Sequence, residues 1–141
     1  MKEALSVGWF PEVAEGLTSD RTVSLEIVND VVGILHRIGG FRWWFNSGTL
    51  LSTYRDKCFF VGDDLDIDIL VDEGFDFVKF LERLGTRGFR LLRSVSYDQD
   101  KVMQLAFVYE GIIVDFQFYR CLNDVGGLLY SVCDHGVNLI P

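Results

Sequence analysis

The 141-residue sequence has few cysteines, few basic residues and no long apolar run. Its three cysteines form no CxxC pair, which indicates a reducing compartment rather than a disulfide framework. Thirteen basic residues stand against 21 acidic ones, and the net charge of −8 argues against an extended nucleic-acid footprint. The sequence has neither a run long enough for a membrane span nor a signal-peptide pattern at its N-terminus. We therefore expect a cytoplasmic protein without a membrane span.

What the chain does contain is a large apolar fraction. Hydrophobic residues make up 49% of it, including 12 Phe, 3 Trp and 5 Tyr, and this composition excludes a disordered chain. The length suits one domain with a real core. We expect a single domain over residues 1–141. Residues 1–18 are a candidate peripheral N-terminal segment, because Gly8 and Pro11 interrupt the helical spacing of their apolar residues.

The periodicity of apolar residues predicts two main helices, a short helix that follows Thr49, and five strands. The first helix is predicted over 21–38, with an N-cap at Ser19-Asp20 and an end at the glycine pair Gly39-Gly40. The other elements are a strand over 41–46, a strand over 64–71, a helix over 76–84, and an antiparallel meander of strands over 89–97, 102–109 and 112–119. The fold class predicted is α+β, a mixed sheet flanked by helices, and residues 121–141 have no clear pattern.

Carboxylates alternate with aliphatic residues in the strand predicted over 64–71. Side chains alternate between the two faces of a strand, so Asp64, Asp66 and Asp68 share one face and the aliphatic side chains share the other. Carboxylates crowded on one face repel each other unless a cation lies between them, and a divalent metal is the usual solution. The alternative is a solvated edge strand whose outward positions are acidic.

A fourth carboxylate lies in the last strand of the predicted meander. Asp115 is flanked by Val114 and Phe116, and an uncompensated buried carboxylate is costly, so we expect it to have a partner. That partner is a lysine or a backbone amide in one interpretation, and a metal held by Asp66 and Asp68 in the other. Three carboxylates from two strands can hold one or two Mg²⁺ ions, and Asp115 can also accept the proton of an attacking hydroxyl.

A small-residue turn precedes the acidic strand. Ser47, Gly48 and Thr49 lie between a predicted strand and a predicted short helix, where a glycine lets the backbone approach a phosphate and the helix N-terminus favours its charge. Arg55 and Lys57 are candidates for contacting phosphate oxygens. The alternatives are an ordinary connecting turn and two exposed charges at a helix end.

Together these motifs resemble one known family. Gly48-Thr49-Leu50-Leu51, Arg55 and the acidic cluster ending in Asp66-Ile67-Asp68-Ile69 are similar to the signature of the LicD/fukutin-related proteins, within the DNA polymerase β-like nucleotidyltransferase superfamily. The similarity covers roughly residues 43–72, with looser support from Ile113-Val114-Asp115-Phe116. It implies a nucleotidyltransferase-like mixed sheet flanked by helices, and chemistry that depends on Mg²⁺, with Mn²⁺ as the alternative ion.

The resemblance also implies roles for individual residues. Gly48 and Thr49 correspond to the phosphate-binding turn, and Asp66 and Asp68 to the paired metal ligands. Asp64 corresponds to an additional upstream acid, and Asp115 to the third carboxylate of the superfamily. The implied reaction is transfer of a nucleotidyl or substituted phosphoryl group, of the phosphocholine or phospho-alditol type, from a nucleotide-activated donor to a hydroxyl acceptor.

The chain departs from the family pattern at two places, and other interpretations remain. Ser52 replaces a frequent second glycine, and Val61-Gly62-Asp63 replaces the usual Pro-Trp-Asp. The short length is typical of minimal nucleotidyltransferases, so a non-catalytic or partner-dependent module of the toxin or antitoxin type, with a protein partner or as a homo-oligomer, is the alternative. A third interpretation takes Asp66-Ile67-Asp68 as the metal motif of a nucleotide-sugar glycosyltransferase, but the βαβ unit that this requires upstream is not evident.

Overall fold

The computed structural model describes residues 5–18, 23–46, 64–98, 101–122, 128–133 and 136–140, with side chains up to residue 121. Three helical segments are present there: a 3₁₀ helix (Pro11–Gly16), α1 (Leu25–Ile38) and α2 (Phe77–Thr86). The strands in chain order are β1 (Leu5–Trp9), β2 (Arg42–Phe45), β3 (Asp64–Leu70), β4 (Arg90–Tyr97), β5 (Lys101–Tyr109), β6 (Ile112–Leu122), β7 (Leu128–Cys133) and β8 (Gly136–Ile140).

Six strands form the main mixed sheet, in the order β1-β4-β5-β6-β3-β2. The antiparallel meander predicted from the sequence is confirmed as β4-β5-β6. β3 runs parallel to β6 and antiparallel to β2, so it lies between them. The last residues of β6 leave this sheet and pair with β7, which pairs in turn with β8. The mixed α/β architecture expected from the sequence is therefore present.

Both main helices are amphipathic and cover one face of the sheet. α1 buries Val28, Val31, Ile34, Leu35 and Ile38, and these residues join one core cluster with the aliphatic residues of β3 and the aromatic residues of β6. Its end at the glycine pair is confirmed, because Gly39 has a φ of +64° and its N–H donates to the carbonyl of Leu35 at 3.0 Å.

The start of α1 differs from the prediction. The N-cap is Ser24, whose hydroxyl oxygen accepts a hydrogen bond from the N–H of Ile27 at 3.2 Å, and the helix begins at Leu25. The predicted cap at Ser19-Asp20 is therefore wrong. Ser19 and Ser24 are both residues that commonly cap helices, so the local sequence did not indicate which of them precedes the helix.

α2 agrees with the prediction except on one side. Asp76 is its N-cap, accepting a hydrogen bond from the N–H of Lys79 at 3.0 Å, and Phe80 and Leu84 are fully buried. Leu81 was predicted to share the buried face but is 39% exposed. The buried stripe is thus narrower than the sequence pattern indicated, because this short helix contacts the sheet along one line of residues.

The N-terminal segment contributes to the sheet. β1 is an edge strand that pairs antiparallel with β4, and the 3₁₀ helix that follows packs Val13 against Leu92 and Val108. In the described part of this segment, the interrupted helical spacing corresponds to a strand and a short helix, separated by Phe10. Within the described part of the chain, no helix is both long enough and apolar enough to cross a membrane.

Candidate functional site

The predicted alternation along β3 is confirmed. Leu65, Ile67 and Ile69 are completely buried under the helices, so Asp64, Asp66 and Asp68 lie on the other face of the sheet. The same alternation holds in β6, where Val114, Phe116 and Phe118 are completely buried and Asp115 lies on the aspartate side. We call the sheet face that bears Asp64, Asp66, Asp68 and Asp115 the carboxylate face.

The parallel pairing of β3 with β6 brings the carboxylates of the two strands together. Asp66 and Asp115 are register partners, and Asp68 lies opposite Gln117 on the same face. Neighbouring strands are about 4.8 Å apart, so two carboxylates opposite each other interact strongly. The charge of Asp66 accordingly raises the pKa of Asp115 and also that of Asp68. The predicted meeting of carboxylates from two neighbouring strands is thus present in the fold.

Asp68 is the most deeply placed of the four carboxylates, with 3% of its surface exposed. Burial raises its pKa from 3.8 to about 6, although hydrogen bonds from Asn46 and Trp44 act in the opposite direction. The indole Nε1 of Trp44 donates to Oδ2 at 3.0 Å, and Nδ2 of Asn46 donates to Oδ1 at 3.4 Å. Both donors come from the strand-end region of β2, which therefore fixes the orientation of this carboxylate.

Asp115 is held by one side chain from β5. Nε2 of Gln104 donates to both carboxylate oxygens, at 3.1 Å to Oδ1 and 2.9 Å to Oδ2. The pKa of Asp115 is raised to about 7, mainly by burial and also by the charge of Asp66, while the bond from Gln104 and the charge of Arg93 act in the opposite direction. The partner expected for Asp115 was a lysine, a backbone amide or a metal; in the described structure it is a glutamine amide.

Asp64 lies at the end of the carboxylate face that the 3₁₀ helix borders. Its register partner on β6 is Ile113, which packs with Val13 and Val108 in the small cluster beneath that helix. The charge of Asp64 also raises the pKa of Asp115, so the two carboxylates interact electrostatically. The 3₁₀ helix thus closes one end of the carboxylate face, and Trp44 and Tyr119, whose ring centroids are 5.8 Å apart, lie at the other.

The described residues hold no group of three or more His, Cys, Asp or Glu side chains placed to bind a metal ion together. The chemistry of the donors nevertheless fits Mg²⁺, because this ion takes hard oxygen ligands and is often bound through one or two carboxylates with water and substrate phosphates. Asp66 and Asp115 are the pair that suits such a site. Asp68 is 3% exposed and accepts hydrogen bonds from Trp44 and Asn46, so it lies beside this pair as a further negative charge.

The predicted phosphate-binding residues Ser47, Gly48, Thr49, Arg55 and Lys57 lie outside the described residues, and their roles stay predictions. The structure adds residues that the sequence did not single out, namely Trp44, Asn46, Gln104 and Arg93. One signal was available for Gln104, which is the only polar side chain between Val102 and Tyr109 in an otherwise apolar strand. No such signal marks the other three.

We compared the chain with protein-family models, with curated proteins and with solved structures, and none of them matches it.

Proposed function

We propose that the chain is a Mg²⁺-dependent enzyme of the nucleotidyltransferase type, a nucleotidyltransferase or phosphotransferase. It would transfer a nucleotidyl or substituted phosphoryl group, such as phosphocholine or a phospho-alditol, from a nucleotide-activated donor to a hydroxyl acceptor. The observation that carries this proposal is the register pairing of Asp66 with Asp115 on adjacent parallel strands, with Asp64 and Asp68 on the same face. A cluster of mutually repelling carboxylates favours a divalent cation with a bound phosphate.

Each residue of the pair has a distinct part in this proposal. Asp66 and Asp115 would hold Mg²⁺, which when bound offsets negative charge on the transferred phosphoryl group. Gln104 keeps the carboxylate of Asp115 in one orientation through both of its oxygens. Asp115 is also the carboxylate proposed to accept the proton of the attacking hydroxyl, as a general base. Trp44 and Asn46 fix Asp68, whose charge adds to the cation preference of the face.

The test is thermal unfolding of the purified protein with ATP, CTP, GTP, UTP and CDP-linked alcohols, each with and without Mg²⁺. A ligand present at a hundred times its dissociation constant stabilises the folded state by about 2.7 kcal/mol. We expect a stabilisation that requires both Mg²⁺ and one class of nucleotide, and that is lost in Asp66→Asn. The matched control is Asp30→Asn, since Asp30 is exposed on α1, on the helix-covered side of the sheet. Equal stabilisation of Asp66→Asn and the wild type would contradict the proposed site.

One observation favours the alternative of a partner-dependent module. Edge strand β1 exposes apolar side chains, with Leu5 41%, Val7 51% and Trp9 54% accessible. Exposed apolar groups on the outermost described strand of a sheet are typical of surfaces that receive another chain. A non-catalytic module would give no Mg²⁺-dependent nucleotide stabilisation, and its purified form would change oligomeric state when Val7→Lys is introduced.

A further inference from the structure

One row of register partners crosses five neighbouring strands of the main sheet. It runs from Trp9 in β1 through Arg93 in β4, Ala106 in β5 and Asp115 in β6 to Asp66 in β3. Register partners direct their side chains to the same face of a sheet. The carboxylate face therefore continues beyond Asp115 into a cationic and then an aromatic side chain, neither of which has a part in the function proposed above.

Arg93 lies close enough to Asp115 to affect its ionisation. Its positive charge lowers the pKa of Asp115, against the larger effects of burial and of Asp66. The intervening residue is Ala106, whose methyl group is the smallest side chain of the row. With strands about 4.8 Å apart, the backbones of Arg93 and Asp115 are separated by about 10 Å, within the combined reach of a guanidinium and a phosphate.

Trp9 is the next side chain in the row, and it is exposed. It is 54% accessible, the largest value among the exposed apolar residues of β1, and it lies on the outer edge of the sheet next to Arg93. A planar group that stacks on a large, half-exposed aromatic ring beside a cation binds favourably, because the ring face is then removed from water. Its backbone is about 15 Å from that of Asp115, so a ligand that contacts both must be extended.

We propose that Trp9 and Arg93 form a nucleotide subsite beside the carboxylates, in which Arg93 binds phosphate oxygens and Trp9 stacks on the base. The order of the row matches the order of groups in a nucleotide, with the ring at Trp9, phosphates at Arg93 and the metal-bound phosphate at Asp115 and Asp66. This inference rests on the proposed function and extends it by assigning the residues that bind the nucleotide. Arg suits phosphate because its planar fork presents paired donors, and base stacking on an aromatic side chain tolerates any base.

The experiment measures binding by calorimetry in Mg²⁺, with inorganic triphosphate as one probe and ATP, CTP, GTP and UTP as the others. Arg93→Gln should weaken the binding of inorganic triphosphate and of the best-bound nucleotide alike, by roughly tenfold or more, since hydrogen bonds to charged groups are strong. Trp9→Leu should weaken nucleotide binding by about fivefold or more and leave the affinity for inorganic triphosphate unchanged, because only the nucleotide has a base to stack. Trp9→Phe keeps an aromatic ring and should restore most of the nucleotide affinity.

Arg90→Gln is the matched control for charge. Arg90 lies on the same strand and is exposed, but its register partner is Val108, beneath the 3₁₀ helix. The substitution should therefore leave the affinity for both probes unchanged. If Arg93→Gln binds inorganic triphosphate as the wild type does, Arg93 only offsets the charge of Asp115 and the subsite is refuted. If the wild type binds no probe, the proposed function fails as well. Binding that Asp66→Asn abolishes but Arg93→Gln and Trp9→Leu leave intact would refute the subsite alone.

Discussion

The substitution Asp115→Asn is expected to stabilise the metal-free protein at alkaline pH. The folded pKa of Asp115 is about 7 against an ordinary value of 3.8. This difference corresponds to about 4 kcal/mol, at roughly 1.4 kcal/mol for each tenfold change in proton affinity. Asparagine has the same size without the charge but gives up one of the two bonds from Gln104, worth about 1 kcal/mol. We therefore expect a net gain of about 3 kcal/mol at pH 8.

The pH dependence of this gain follows from the direction of the shift. A carboxylate with a raised folded pKa favours folding below its unfolded pKa, and this contribution is lost as the pH rises through the folded value. For Asp115 this stability is lost between pH 3.8 and about pH 7. Asp68, with a folded pKa of about 6, causes a similar loss of stability, which is the same in the wild type and the variant. The advantage of Asp115→Asn should therefore fall to a small value near pH 5.

Urea unfolding with a chelator, at pH 5 and pH 8, measures both quantities in the wild type and the variant. Groups that titrate identically in the two proteins cancel when their free energies of unfolding are subtracted at each pH. Asp30→Asn serves as the control for a removed surface charge. A variant that is less stable than the wild type at pH 8, or a stability difference that is the same at both pH values, would refute the argument. If Asp115 binds Mg²⁺, adding this ion at pH 8 should stabilise the wild type and reduce the advantage of the variant.

Three further predictions concern the groups that support the site and the helix that packs beneath it. Trp44→Phe removes the donor to Asp68 and should destabilise the protein by about 1–3 kcal/mol at pH 8 in urea unfolding, because a buried acceptor is left without its bond. An equal loss at pH 4, where Asp68 is largely protonated, would instead indicate lost packing of the indole. Gln104→Leu should raise the pKa of Asp115 above its present value, as followed by NMR of the carboxyl carbon, and an unchanged or lower pKa would be inconsistent with the observed bonds. Ser24→Ala should cost about 1 kcal/mol through loss of the α1 cap, whereas Ser24→Asp should retain the stability.

Much of the fold was predictable because its signals are local. The alternation of aspartates with Leu65, Ile67 and Ile69 has the strand period of two, and the burial of these aliphatic residues confirms it. The glycine pair after Ile38 ends α1 as expected, and short turn signals separate the strands of the meander. Each of these predictions depends on residues within a few positions of one another in sequence.

The parts of the site that could not be predicted depend on strand pairing. Nothing near Asp66 indicates that its neighbour is Asp115 in parallel register, because a shift of two residues would keep the same faces and place Gln117 there instead. Trp44 and Gln104 reach their carboxylates only because β2 and β5 border β3 and β6. Pairings of this kind are decided by packing of the whole core, so the sequence indicated that Asp115 needs a partner but not which residue supplies it.

The parallel pairing of β3 with β6 also affects when the site can form during synthesis. β3 leaves the ribosome long before β6, and until β6 arrives its only partner in the final sheet is β2. Contacts between distant segments form slowly, because the intervening chain must be ordered first. The nascent chain therefore carries Asp66 without Asp115, its register partner, and the two carboxylates meet only after residues up to about Leu122 have been made and docked. A chain that stops short of β6 would retain the acidic motif and lack the site.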